Sequence, residues 1–196
     1  KSNHEYLIKQ TQYSLNNIIR SSTKTKTIPL NFFHPIVEII FVLQNKSKFV
    51  SRPNGGNDYF NFSKTNDYPF KDTIKTGKLR LNGVDRTIEM TSKELRLFNP
   101  IERHTSVPNN YIYLFSFSLN PEAFQPTGSC NFSRFDNAEL ILEFEDGIEE
   151  SDLKIFAINY NILRKEIRDS ITNIIGKYDL SDSEIQKIFK NIENII

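Results

Sequence analysis

The chain has 196 residues, a mass of 22.9 kDa and a formal net charge of +1, which fits one domain with at most a small appendage. Basic and acidic residues are interspersed without a run of five Lys or Arg. This pattern argues against direct nucleic-acid binding, which needs concentrated positive charge. No apolar run approaches the ~20 residues of a membrane-spanning helix. Phe, at 16 residues, and Ile are frequent enough to predict a folded chain.

Each sulfur-containing amino acid occurs once. The single cysteine, Cys130, excludes an internal disulfide framework and a cysteine-based zinc site. Met90 is the single methionine, so Lys1 is not expected to be a translation start. The chain is therefore expected to be a processed product, a fragment or an excised domain.

Apolar and polar residues alternate with a period of two over about the first 160 residues, which predicts β-strands. The predicted strands, in chain order, are 5–12, 24–31, 37–44, 78–82, 87–91, 94–98, 111–119, 138–144 and 153–160. Pro29 cannot donate a ladder hydrogen bond and marks the second strand as an edge. Turn sequences such as Asn82-Gly83 and Asp146-Gly147 separate the strands. Short antiparallel strands at this spacing are typical of a sandwich or barrel.

Two stretches depart from this pattern. The polar stretch 45–76 is too long for a hairpin turn and is expected to be functional or to carry its own structure. After Tyr160 the apolar spacing changes to steps of three and four, which predicts an amphipathic helical hairpin over 164–196. The two helices either pack on each other or on the sandwich, or they form a docking face for another chain.

The histidines do not predict a metal, cofactor or catalytic site. His4, His34 and His104 are far apart in the chain and lack metal-ligand spacing. A nucleophile triad of Cys130, His104 and Asp136 would have to be assembled by the fold, and no flanking motif supports it. A lone cysteine beside a strand is more often a small buried side chain. We therefore expect no catalytic, cofactor-binding or metal-binding residues and no enzymatic activity.

Asn45 and Asn61 are candidate N-glycosylation acceptors. Each opens an N-x-S sequon in the long polar stretch, where an acceptor could be accessible. A third sequon at Asn131 adjoins Cys130 and a predicted strand, so it is expected to be less accessible.

One long segment carries a family resemblance. Residues 121–138, PEAFQPTGSCNFSRFDNA, closely resemble the P-E-E-x-Q-P-S-G-[TS]-C-N-[FM]-S-R-[IL]-D-N-A motif of the major capsid proteins of nucleocytoplasmic large DNA viruses. Further similar pieces follow the family's order: SNHEYLI (2–8), LNFFHP (30–35), LRLNGVDR (79–86), IYLFSF (112–117) and IFAINYNILR (155–164). Phe33 stands where the family usually has Asn, and residues 91–100 depart from its pattern. The resemblance covers about residues 2–164.

The resemblance implies an all-β fold: an eight-stranded antiparallel jelly-roll sandwich over 1–163, the second of two in the family's full-length protein. The C-terminal α-helical hairpin over 164–196 would then be an extension that the family usually lacks. Loops 45–76 and 100–110 are expected to face outward. Residues 121–138 then form a structural crossing between strands, with Gly128 permitting a tight bend.

The implied function is a structural protein of a viral icosahedral capsid that builds trimeric, pseudo-hexagonal capsomers. The implied partners are a homotrimer through the full-length protein, neighbouring capsomers and minor capsid proteins. An internal membrane would lie nearby without insertion. The implied location is the virion, and the viral factory of the host cytoplasm during assembly. The alternatives are a jelly-roll glycan-binding module with exposed aromatics such as Tyr59 and Tyr68, or a virion spike or minor capsid protein. A cupin-like enzyme ranks third.

Overall fold

The computed structural model describes residues 4–49, 58–65 and 69–165. Within these ranges the strands are β1 (His4–Ile19), β2 (Thr25–Pro29), β3 (Pro35–Asn45), β4 (Ile74–Leu81), β5 (Val84–Asp85), β6 (Met90–Thr91), β7 (Tyr113–Ser116), β8 (Cys130–Asn131), β9 (Ala138–Phe144) and β10 (Ser151–Lys165). Helical turns of the 3-10 type lie at Lys46–Phe49 and Phe132–Arg134. A π-helical segment, Glu94–Phe98, runs directly into the helix α1, Asn99–Arg103.

The strands form two sheets. Sheet A has the order β1-β10-β3-β7, with β8 also paired to β3, and sheet B has the order β2-β9-β4-β5, with β6 also paired to β4. The pairs of β3 with β10 and of β4 with β9 are antiparallel, with Phe41 opposite Ile155 and Leu79 opposite Leu140. The predicted all-β class with antiparallel sheets is therefore confirmed. The predicted count of eight strands is not, because the described residues contain ten, three of them only two residues long.

The chain divides into two compact units, one of residues 9–161 and one of residues 1–8 with 162–196. The core and the surfaces described below lie in the first unit. Strand β10 continues to Lys165, so the first two positions of the predicted extension belong to a strand. The remainder of the predicted helical hairpin, residues 166–196, lies outside the described residues.

The apolar core takes alternate residues from the strands. In β9 every second side chain, from Ala138 to Phe144, is buried, as the pleat of a half-covered strand requires. Phe41 is fully buried at the centre of β3, and its ring stacks against Tyr113 and Phe115 with centroid distances of 5.8 Å each. Each fully buried large apolar side chain stabilises the fold by roughly 1.5–3 kcal/mol.

Strand β3 is buried on both of its faces. Ile39 and Leu43 belong to the core, so the adjacent residues Glu38 and Gln44 point to the opposite, outer face of sheet A. Both are nevertheless buried, because other segments cover them. The Gln44 amide donates to the Tyr59 carbonyl at 2.8 Å, and the Glu38 carboxylate lies 2.9 Å from the His104 ring. The outer face of sheet A is thus where polar segments pack onto the sandwich.

The predicted strand 94–98 is wrong, because this segment is helical. Leu95 is the residue of this helical segment that is fully buried, and it packs over Gly77. A Cβ atom added at Gly77 would lie 3.1 Å from Leu95 Cδ1. The start is a capping box: Glu94 Oε2 accepts from the Thr91 amide at 2.7 Å and from the Thr91 hydroxyl at 2.8 Å. The Thr-x-x-Glu spacing was a readable signal for this helix. The predicted outward loop 100–110 likewise begins inside α1.

Other predicted elements change mainly in length. The predicted strand 111–119 is reduced to four residues in β7. Tyr111 has a φ of +58°, which is not extended backbone, and after the strand the Ser116 hydroxyl donates locally to the Ser118 carbonyl at 2.9 Å. The predicted strand 87–91 keeps only the two residues of β6. The Asn82-Gly83 turn is confirmed: both residues have positive φ and join β4 to β5 in a two-residue hairpin. Strand β2, which contains Pro29, lies at an edge of sheet B as predicted.

Candidate functional site

A buried lysine attaches the polar segment 58–65 to the sandwich. Lys48, in the turn after β3, is 3% exposed, and its ammonium group is surrounded by main-chain oxygens. It donates to the carbonyls of Asn61, Ser63 and Thr65 at 3.0, 2.5 and 3.4 Å. A buried ammonium is costly unless its protons are bonded, so this contact orders the segment as well as the lysine. The polar stretch therefore carries its own structure where it is described.

Replacing Lys48 with methionine is expected to loosen residues 58–65 selectively. Methionine keeps an unbranched side chain of similar length but cannot donate, so three carbonyls lose their partner. Limited proteolysis should show faster cleavage in 58–65, with the thermal midpoint of the whole chain lowered only slightly. Lys64→Met is the matched control, because the half-buried Lys64 lies in the same segment and its ammonium donates to the carbonyl of Asp146, outside the segment. Equal cleavage in both variants would contradict the anchoring role of Lys48.

The two predicted sugar acceptors differ in environment. The Asn45 side chain is 6% exposed, its amide donates to Glu149 Oε2 at 2.7 Å, and its oxygen accepts from the Ser47 amide at 2.9 Å. Asn61 is half-buried, and its amide donates to Asp58 Oδ2 at 2.9 Å. Glycosylation would require both amides to leave these bonds. Acceptor function at either residue stays a prediction, and the environment of Asn61 suits it better.

The aromatic residues of the polar stretch are only partly available as a platform for a sugar. Tyr59 packs edge-on against Phe60 at 5.3 Å between centroids, and the Lys154 ammonium lies 5.3 Å from the Tyr59 ring. Phe60 is largely exposed. Tyr68 lies outside the described residues.

Residues 121–138, called here the signature segment, connect β7 to β9 by way of β8, and a close backbone approach restricts their conformation at Gly128. The segment leads from β7 to β8, which both pair with β3, and then to β9 in sheet B. The change of sheet therefore falls after Asn131, not between the prolines. Gly128 has a φ of +140°, and a Cβ there would lie 2.8 Å from the Phe117 carbonyl oxygen. The tight bend expected at Gly128 lies instead at residues 121–125, and Gly128 follows it, where the segment passes close to Phe117 and Ser118 after β7.

Polar residues of the signature segment bond to the backbone, as expected for architecture. The Asn131 side-chain oxygen accepts from the Ser133 amide at 3.1 Å. The backbone amides of Asp136 and Asn137 donate to Asn82 Oδ1 at 2.9 and 3.1 Å. The β4–β5 turn and the signature segment are thus joined by one amide side chain. The alternating pattern of β4 gives no indication of this contact.

Large apolar side chains remain exposed on two segments that are joined to each other. Phe98 and Ile101 lie three residues apart on the helical segment, and Leu119 and Phe124 lie in the loop 118–127; each is more than half exposed. Arg103 Nη1 donates to the Ser118 carbonyl at 3.3 Å, which connects α1 to this loop. Isolated exposed apolar residues are ordinary, but four on two connected segments make a candidate contact surface. We call these four residues the apolar surface.

The predicted alternative of a nucleophile triad is not assembled. Both ring nitrogens of His104 face glutamates: Nε2 lies 2.9 Å from Glu38 Oε2 and Nδ1 lies 3.2 Å from Glu122 Oε1. The ring therefore has no nitrogen left to act as a base for Cys130. Burial raises the pKa of the Cys130 thiol, which disfavours the reactive thiolate. Cys130 packs partly buried against the core, as predicted for a structural cysteine.

The other two histidines, which were not predicted to form a site, lie at the starts of strands. His34 has a φ of +72° and immediately precedes β3, and its backbone amide donates to Ser133 Oγ at 2.8 Å. His4 lies at the start of β1. Within residues 4–49, 58–65 and 69–165, no group of three or more His, Cys, Asp or Glu is arranged to hold a metal ion. No helix in the same ranges is long and apolar enough to cross a membrane.

The architecture is similar to that of capsid proteins whose structures are solved. The crystal structure of PBCV-1 VP54, fitted into a cryo-EM reconstruction of the virophage Sputnik, matches with a TM-score of 0.70 and 27% identity, covering 85% of this chain and 50% of that one. The quasi-atomic model of the PBCV-1 virus capsid matches with a TM-score of 0.67 and 26% identity, covering 84% and 50%. The Faustovirus major capsid protein, at 14% identity and a TM-score of 0.59, supports the fold alone.

The sequence is similar to curated proteins of the same class. The major capsid protein of Pyramimonas orientalis virus is 31% identical over 184 residues, which cover 82% of this chain and 40% of that protein. The major capsid protein of Paramecium bursaria Chlorella virus 1 is 29% identical over 202 residues, covering 82% and 46%. The chain therefore spans less than half the length of these relatives.

A family model matches most of the chain. The model is described as large eukaryotic DNA virus major capsid protein, and it matches residues 1–167. The match includes both sheets and the signature segment. This chain belongs to the family of large eukaryotic DNA virus major capsid proteins.

Proposed function

We propose that this chain is the second jelly roll of a longer capsid protein, and that the full-length protein builds trimeric, pseudo-hexagonal capsomers of an icosahedral shell. The main support for this proposal is the share of the relatives that the chain matches: its two-sheet sandwich covers half of each solved PBCV-1 capsid chain. The other half of such a chain has the length for a second domain of similar size. Residues 1–165 would form the jelly roll, and 166–196 an extension that contacts a minor capsid or membrane protein.

The role is structural and needs no catalytic residue. Its partners are two further copies of the full-length protein, neighbouring capsomers and minor capsid proteins, beside an internal membrane into which the chain does not insert. A formal net charge of +1 lets identical copies approach without strong mutual repulsion, and it gives little attraction for nucleic acid. The protein would reside in the virion after assembly in a cytoplasmic viral factory, with residues 45–76 facing outward.

The contact between copies is assigned to the apolar surface. Phe98, Ile101, Leu119 and Phe124 are the kind of large side chains that form the buried centre of an interface. A shell is built from copies of its own protein, so another copy of the full-length chain is the occupant we propose. Burial of these side chains would stabilise the assembly and would leave the sandwich core unchanged.

The test uses the full-length parent protein and native mass spectrometry. The parent is expected to be trimeric, and the double variant Ile101→Asp with Phe124→Asp is expected to remain monomeric with an unchanged circular dichroism spectrum. Phe60→Asp is the matched control, because Phe60 is an exposed aromatic residue on the segment proposed to face outward. A parent that stays monomeric at high concentration contradicts the capsomer proposal. A parent that forms trimers equally well with and without the double substitution contradicts only the assignment of the apolar surface.

A further inference from the structure

One imidazole ring joins three separate parts of the fold. Glu38 lies on the outer face of β3 and is 4% exposed, and its Oε2 is 2.9 Å from His104 Nε2. His104 follows directly after α1, and its Nδ1 is 3.2 Å from Glu122 Oε1 in the loop 118–127. The Thr105 amide also donates to both oxygens of Glu122, at 3.2 Å each. Sheet A, the helix and the loop therefore meet at one group that can change its protonation.

The contacts require a proton that the neutral imidazole does not have. A neutral imidazole has one N–H donor and one acceptor nitrogen, whereas an ionised carboxylate only accepts. If Glu38 and Glu122 are both ionised beside a neutral His104, one ring nitrogen places its lone pair against a carboxylate lone pair. Both contacts are hydrogen bonds only when the cluster holds one further proton, on the ring or on Glu38. Both N···O distances lie within hydrogen-bond range, so the geometry accommodates the cluster with that further proton.

The charges around the cluster are few and identifiable. From β1, the Lys9 ammonium donates to the Pro121 and Ala123 carbonyls at 2.6 and 2.8 Å and acts electrostatically on Glu38. From α1, Arg103 donates to the loop, and the exposed Glu102 lies 3.9 Å from Arg103 Nε. The residues opposite Glu38 in the neighbouring strands, Ser116 of β7 and Ile158 of β10, are uncharged. These two strand positions therefore add no acidic group that would compete for the shared proton.

We propose that Glu38, His104 and Glu122 form a proton-dependent latch that fixes the loop 118–127 against sheet A and releases it when the shared proton is lost. The loop carries Leu119 and Phe124, so the latch sets the position of two exposed apolar side chains. Two contacts of the loop are independent of the shared proton: Lys9 of β1 holds the carbonyls of Pro121 and Ala123, and Arg103 of α1 holds the carbonyl of Ser118. Loss of the proton therefore loosens the loop and leaves the fold intact.

The pKa directions define the pH window in which the latch is closed. Burial raises the pKa of the Glu38 carboxyl, and the nearby His104 opposes this effect only in part. The stabilisation from protonated Glu38 is present below its unfolded pKa and is lost as pH rises through the raised folded value. Hydrogen bonds from Thr105 lower the pKa of Glu122, so its contribution is present above the unfolded pKa and is lost as pH falls through the lowered folded value. The latch is closed between these two limits.

Glu38→Gln provides the critical variant. A glutamine amide has the same shape, carries no charge, and can donate to His104 Nε2 while His104 Nδ1–H donates to Glu122, so the latch stays closed without a titrating proton. Hydrogen exchange of the loop amides, corrected for intrinsic rates, would be followed from about pH 5 to about pH 9. In the wild-type chain the opening equilibrium should increase about tenfold per pH unit where the shared proton dissociates, because one proton is released. In Glu38→Gln it should stay flat over that range.

The control is Glu139→Gln on sheet B, where the carboxylate lies 3.8 Å from Arg80 Nη1 and far from the latch in the topology. It should reproduce the wild-type profile. A second measurement follows the Glu38 carboxyl in the wild-type chain: its ¹³C resonance, assigned by its absence in Glu38→Gln, should report loss of the proton at the pH where the loop opens. Identical profiles for wild type and Glu38→Gln overturn the proposal. So does a Glu38 carboxyl transition at a different pH from loop opening, or equal loss of protection in β4.

Discussion

Gly128→Ala is expected to reduce the free energy of unfolding by about 2–5 kcal/mol, through backbone strain together with steric overlap. The φ of +140° at Gly128 is one that side-chain-bearing residues rarely adopt. An alanine Cβ would also lie 2.8 Å from the Phe117 carbonyl oxygen and 3.3 Å from Ser118 Cα. These are main-chain atoms next to β7, so they cannot move aside as the end of a flexible side chain can. The substitution must therefore shift the backbone of the signature segment or of β7.

Urea unfolding of the 196-residue chain measures this effect, and Gly147→Ala separates its two causes. Gly147 also has a positive φ, +71°, but a Cβ there would meet nothing within 4 Å. Its substitution should cost only the conformational penalty of about 1–2 kcal/mol. The difference between the two variants measures the steric term at Gly128. Equal losses would show that the close approach to Phe117 is relieved at no cost.

Phe41→Ala is expected to reduce the free energy of unfolding by about 3–5 kcal/mol, as for other large-to-small substitutions in a close-packed core. The Phe41 ring is fully buried and stacks between Tyr113 and Phe115, so its loss leaves a cavity bounded by two aromatic rings. The Tyr113 hydroxyl is itself held by Asp72 Oδ1 at 3.0 Å and bonded to the Thr73 amide at 3.2 Å. These bonds keep the Tyr113 ring from moving into the space, so the cavity should collapse only partly.

The matched substitution is Phe124→Ala, in which the same side chain is removed from a position that is 84% exposed. Its effect on unfolding of this chain should stay within about 0.5 kcal/mol, because little apolar area is returned to water. Chemical unfolding followed by circular dichroism compares the two variants. A loss below about 1 kcal/mol for Phe41→Ala would mean that the core repacks around the missing ring, contrary to the expected close packing.

The sequence correctly predicted a strand in which successive side chains alternate between the core and the surface. Strand β9 has the predicted bounds, 138–144, because each of its side chains alternates between core and surface. The Asn82-Gly83 turn was predictable because its dipeptide suits the positive φ values of a tight hairpin. The segment 94–98 was misassigned, since a run of five residues with mixed apolar and charged side chains fits either period. Its Thr91–Glu94 capping box was the signal that distinguishes the two.

The candidate surfaces were less predictable because they depend on contacts between distant residues. His104 meets Glu38 across 66 positions and Lys48 meets the carbonyl of Ser63 across 15. Neither pairing has a local pattern, because a histidine or lysine in a polar stretch usually indicates a solvated side chain. The same applies to Asn82, whose side chain accepts from the Asp136 backbone amide across 54 positions and also from that of Asn137.

The sequence by itself determined the class of this protein: an antiparallel β fold, a structural cysteine, and a signature segment specific enough to indicate the family. These features follow from side-chain alternation, turn chemistry and residue identity, which are local properties of a chain. Only the tertiary structure decided that the outer face of β3 is covered, because burial of a strand's second face depends on segments far away in the chain. That covering removes Glu38 from water and places it against His104, and a buried carboxyl beside an imidazole acquires a proton dependence that no short stretch of sequence contains.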